Sequence, residues 1–90
     1  MVTEADVRDR FVREKLTAER WENGPGAVYA VHDHPYAKVL IVERGSITFM
    51  LPREGREVMM KPGDRLDLPP QTPHSAVVGP DGVVCFEAHR

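Results

Sequence analysis

Three of the four histidines in this chain stand where a single metal ion can be held: His32 and His34 in the run Val31-His32-Asp33-His34-Pro35-Tyr36, and His74 in Pro73-His74-Ser75. Neutral imidazole is a ligand for zinc, iron, nickel and copper, and three ligands leave an open position of the kind catalytic sites keep. A His-x-His pair on an extended strand puts both rings on one face, because side chains alternate with period two. A third histidine from another strand then completes the set. Zinc held this way lowers the pKa of its water to about 7 and serves hydrolysis, while iron binds a chelating substrate together with dioxygen.

The residues around these histidines follow a pattern. The first segment reads Gly26, five residues, His32-Asp33-His34, three residues, Lys38, six residues, Gly45. The second reads Gly63, five residues, Pro69, one residue, Gln71, two residues, His74. Together they resemble the two-motif signature of the cupins, over a span from Gly26 to Val78. The resemblance implies an all-β fold, a cupin (double-stranded β-helix, or jelly-roll) barrel, with His32, His34 and His74 as ligands of one divalent transition metal ion: zinc, iron, nickel or manganese. Three-histidine iron sites in cupin dioxygenases extend the implication toward oxygenase chemistry. The sequence departs from the pattern at Lys38, where most metal-binding cupins place a glutamate ligand, at Gln71 in place of glycine, and at Val78 in place of the closing asparagine.

Lys38 is the departure with chemical weight. An ammonium about 4 Å from a divalent ion is repelled by roughly 8 kcal/mol at an effective dielectric near 20. Three arrangements relieve this: the lysine pairs with a carboxylate, it is neutral, or an anionic ligand lies between the two cations. Three neutral histidines leave the ion its full charge, which favours hydroxide, carboxylate, thiolate or enolate as the remaining ligand. Lys38 is therefore the candidate contact for an anionic substrate, and Tyr36 and Trp21 are candidates for the pocket wall. Glu43 and Glu87 read as surface carboxylates, and His89 as solvent-exposed.

Strand-like runs must carry these residues. Turn signals at Asn23-Gly24-Pro25-Gly26, Arg44-Gly45, Glu54-Gly55, Pro62-Gly63 and Gly79-Pro80-Asp81-Gly82 recur about every ten residues, the mark of a barrel or sandwich. They predict eight strands, near residues 17–22, 27–32, 38–43, 47–51, 57–60, 65–68, 75–78 and 83–87. Parity puts Lys38, Leu40 and Val42 on the histidine side. Val39-Leu40-Ile41-Val42 is apolar in both phases, so that strand needs cover on its outer face too. Residues 1–15 read as a helical segment capped by Thr3 and Asp6, with Val7 and Phe11 as its apolar ridge and Arg8, Arg10 and Arg13 as its solvated side. Residues 16–90 read as the barrel of a single domain.

Ninety residues with a formal charge of −2 show neither a basic stripe for nucleic acid nor a polybasic run for a membrane surface. The longest apolar run, Val39 to Val42, is far short of the roughly 20 residues that span a bilayer. The first residues lack the cationic start and apolar stretch of a signal peptide, so the expected location is the cytoplasm. Cys85 is the single cysteine, which excludes an intrachain disulfide. A barrel this small buries only about two-thirds of its unfolded surface, which favours a homodimer. The sequence thus predicts a metal-dependent enzyme, an oxygenase first, acting on a small anionic or chelating metabolite. The alternative is a non-catalytic module that binds or senses a small ligand or metal.

Overall fold

The computed structural model describes residues Met1–Arg90. The chain runs α1 (Glu4–Arg13), β1 (Glu19–Asn23), β2 (Val28–His32), β3 (Lys38–Leu51), a 3₁₀ turn at Pro52–Glu54, β4 (Arg56–Met60), β5 (Arg65–Leu68) and β6 (His74–His89). Two of these strands are long, and each replaces two of the expected ones. At Arg44-Gly45 and at Gly79-Pro80-Asp81-Gly82 the sequence reads as a turn, but the chain continues through as bent strand. Register shifts in the β3–β6 ladder between Val42 and Arg44, and between Gly45 and Ile47, provide the bend. Gly45 is required there: its φ is +77°, and a Cβ would lie 2.0 Å from the Gly82 carbonyl oxygen.

Because β3 and β6 pair antiparallel along nearly their whole length, the bend divides them into two four-stranded layers. One layer has the order β1, C-terminal half of β6, N-terminal half of β3, β5; the other has β2, N-terminal half of β6, C-terminal half of β3, β4. The inward side chains of both layers form one core of twelve buried residues, including Leu40, Val42, Phe49, Leu66, Val78 and Cys85. Leu40 and Val42 thus take the inner face that parity assigned them.

The opposite phase of the first layer, Val39, Ile41, Val84, Phe86 and Ala88, packs under Val7 and Phe11 of α1. The helix therefore supplies the outer cover that the doubly apolar Val39–Val42 run requires. Its start is a capping box: Thr3 Oγ1 accepts from the Asp6 amide at 3.1 Å, and the Asp6 carboxylate accepts from the Thr3 amide at 3.0 Å. The basic side of the helix is less solvated than expected. Arg10 donates to the Gly63 carbonyl at 2.9 Å, and the Arg8 guanidinium lies 4.8 Å above the Phe86 ring. Past the helix, Glu14 pairs with Arg65 and Arg90 and fastens this end of α1 to β5 and the C-terminus.

Candidate metal centre and ligand pocket

His32 is the last residue of β2 and stands opposite His74, the first residue of β6, in the antiparallel ladder. His34 lies past the strand end, just before the bend at Pro35-Tyr36, and is not part of an extended His-x-His pair. Its backbone is held from the other side, where the Gln71 amide donates to the His34 carbonyl at 2.6 Å. Gln71 makes this contact with a positive φ of 57°. The three histidines nevertheless converge, each offering a ligand nitrogen within 4.8 Å of the other two.

The other ring nitrogens decide whether those atoms can bind a cation. His32 Nδ1 lies 2.8 Å from the Ala30 carbonyl oxygen, and His74 Nδ1 lies 2.8 Å from that of Thr72. A carbonyl only accepts, so in both rings Nδ1 carries the proton and Nε2 keeps its lone pair. His34 Nδ1 meets the Tyr36 hydroxyl at 3.2 Å, and its Nε2 is buried without a hydrogen-bond partner. A buried orphan nitrogen beside two free lone pairs fits a metal ion, because the ion satisfies all three.

Electrostatics hold two of the rings in the ligating form. Burial lowers the pKa of His34, and the positive charge of Lys38 adds to the effect. Burial also lowers the pKa of His74, opposed by the hydrogen bond to Thr72. Both are therefore neutral at pH 7.

A cavity of about 300 Å³ adjoins His32 and His74. Trp21, Tyr29 and Phe49 give it aromatic walls, with Trp21 and Tyr29 edge to face at 5.8 Å, and Leu40, Ile47 and Ala76 line it with apolar surface. Trp21 lines this cavity. Tyr36 is not among the lining residues. It stacks behind His34 at 5.0 Å and against the exposed His89 at 3.8 Å.

Lys38 lines the cavity, and its Nζ lies 2.6 Å from Glu87 Oε2. The contact is ionic and not a directed hydrogen bond, since Oε2 has no hydrogen-bond partner in spite of the distance. This is the carboxylate-paired arrangement among the three that relieve the lysine's charge. Glu87 is accordingly a cavity residue, correcting its assignment to the surface. The register explains why: Glu87 pairs with Leu40 and shares its phase with the inward Val83 and Cys85. Cys85 faces the closed part of the core, away from the cavity lining, and burial pushes its thiol up to about 12.

A barrel of two antiparallel layers sharing two long bent strands, with histidines from separate segments gathered beside its cavity, is the architecture of a cupin. Solved structures agree. An RmlC-like cupin from Shewanella frigidimarina is 27% identical at a TM-score of 0.71, with 82% of this chain and 64% of that one covered. The polyketide cyclase RemF from Streptomyces resistomycificus is 26% identical at a TM-score of 0.72, covering 82% and 54%. KdgF from a Halomonas species is 30% identical at 0.69, covering 82% and 68%. The chain therefore spans about half the length of the cyclase. Residues 19–87 match the family described as the AraC-like ligand binding domain, and the chain belongs to that family. No curated protein sequence matches it.

Proposed function

We propose that His32, His34 and His74 hold one divalent transition metal ion, and that the adjoining cavity binds a small anionic or chelating metabolite for a metal-dependent reaction. The observation that carries this reading is the set of three convergent ring nitrogens, two with assigned lone pairs and one buried without a partner. Bound there, the ion would supply Lewis acidity toward a substrate oxygen or, if iron, a place for dioxygen. The protein's own contribution is orientation. Aromatic walls hold the apolar body of the ligand, and Lys38, ion-paired with Glu87, keeps its N–H groups for an anionic group. That the similar structures include a polyketide cyclase supports the enzymatic reading. Membership of a ligand-binding-domain family favours the alternative, a module that senses its ligand without turnover.

Elemental analysis of untagged protein beside His32→Ala, His34→Ala and His74→Ala tests the site. Near-stoichiometric metal lost in all three variants supports it. Protein that stays metal-free after titration with zinc, iron and nickel refutes it. Oxygen uptake or hydrolysis with a panel of diketones, thiols and hydroxy acids, absent in His74→Ala, separates enzyme from sensor.

A homodimer fits the second layer, whose outer face has no helix over it. There Val28, Val77, Thr48 and Met59 form a row across four strands, with Val31 and Met50 beside it. Val28 and Met59 are 72% and 64% exposed. A two-fold axis through this row sets the valine end of one copy against the methionine end of the other and buries these exposed apolar side chains. Sedimentation of Val77→Lys against the parent protein tests it, with a monomeric variant and a dimeric parent expected. No helix is long and apolar enough to cross a membrane.

A further inference from the structure

We propose that the Lys38–Glu87 pair sets the charge balance of the cavity: Glu87 neutralises the ammonium of Lys38 and so permits a cation among His32, His34 and His74. The inference rests on the metal-site reading and adds a positioning residue to it.

Lys38 and Glu87 have side chains only 14% and 20% exposed, so water screens neither well. Both line the cavity that His32 and His74 line. The three histidines bring no negative charge, so an uncompensated ammonium in that space would oppose any divalent ion. The other carboxylate lining the cavity, Glu22, is 60% exposed and directed to Arg20, which leaves Glu87 as the group that cancels Lys38. The fold places it there deliberately in sequence terms: β3 delivers the lysine, the facing half of β6 delivers the glutamate, and their 2.6 Å contact bridges the two strands.

This makes a prediction of sign that packing alone does not. Glu87→Gln leaves a free ammonium and weakens zinc binding by at least about tenfold, while Lys38→Met leaves a free carboxylate and tightens it by a similar factor. The double variant Lys38→Met/Glu87→Gln returns close to the parent affinity. Zinc dissociation constants from competition with a chromophoric chelator, with thermal unfolding to confirm each variant is folded, give the result. If both single variants weaken binding, or if the double variant is as weak as Glu87→Gln, the charge-balance role is overturned and Glu87 acts through packing or direct ligation. Should Glu87→Gln fail to fold, tightening in Lys38→Met and parent-like affinity in the double variant still decide the question. Failure of the underlying reading looks different: neither the parent nor Lys38→Met binds zinc, and the inference falls with it.

Discussion

Tyr36→Phe is the substitution that most directly probes how the rings of the proposed metal centre are oriented. His32 and His74 are oriented by backbone carbonyls, which mutation cannot remove, whereas His34 is oriented by a side-chain hydroxyl. Phenylalanine keeps the stacking on His34 at 5.0 Å and on His89 at 3.8 Å and deletes only the oxygen. At 3.2 Å the hydrogen bond is at the long end of the normal range, so its loss costs the fold about 1 kcal/mol or less. Its effect on a bound ion is larger, because outer partners of ligating histidines are worth about 10- to 100-fold in metal affinity. The long contact argues for the lower figure, about tenfold, or roughly 1.4 kcal/mol. The assay is zinc competition against a chromophoric chelator at pH 7.5, run with Tyr36→Phe and the parent, and with thermal unfolding of both metal-free forms. An unchanged zinc affinity would refute the argument that the hydroxyl fixes the His34 ring for ligation. A large drop in metal-free stability would mean the hydroxyl serves the fold instead.

Other consequences can be checked on the same protein. Phe11 is 1% exposed and closes the outer face of the first layer, so Phe11→Ala should cost about 3–5 kcal/mol and move the urea midpoint far down or abolish it. Cys85, with its thiol at about 12, should resist thiol reagents at pH 8 and react fully in denaturant; labelling of the native protein would show that the core opens readily. In metal-free protein, His34 and His74 have folded pKa values below the ordinary 6.5, so the unfolded chain takes up protons first as pH falls. Their contribution to stability is then complete above pH 6.5 and is lost as the pH drops through that value toward the folded ones, and the melting temperature should fall between pH 7.5 and 5. A flat profile in His34→Ala/His74→Ala would assign the loss to these two rings.

Much of the centre was legible because it depends on spacing. The run His32-Asp33-His34 and the distant His74 mark the ligand candidates, and the glycine and proline positions around them mark the barrel. The inner phase of Leu40 and Val42 and the outer cover on Val39 and Ile41 follow from a strand apolar in both phases. What was not legible depends on long-range pairing. Gly45 reads as a turn because glycine with positive φ serves turns and bulges alike, and only the approach of the Gly82 carbonyl distinguishes them. Glu87 was placed outside because Val83-Val84-Cys85-Phe86 is apolar in both phases, so parity along β6 has no anchor until its register with β3 is known. The available signal was the lysine itself: a buried Lys38 requires a carboxylate, and the acidic residue ending the other core strand was a natural partner.

The pairing also changes where anion affinity originates. Had Lys38 been unpaired, it would attract anions whether or not a metal were present. With Glu87 at 2.6 Å, the pair carries no net charge, and a positive potential in the cavity would have to come from the proposed ion. Three neutral imidazoles do nothing to reduce that potential, which a fourth, carboxylate ligand would halve. Lys38 then supplies direction more than attraction: its remaining N–H groups fix which oxygen of a bound anion points away from the metal. If the site holds a metal as proposed, an anionic ligand should bind only after the metal, and chelation of the metal should remove affinity for the ligand. Thermal-shift titration of small carboxylates against metal-free and zinc-loaded protein should show stabilisation in the loaded form alone; equal stabilisation of both would mean that Lys38 attracts the anion without the ion.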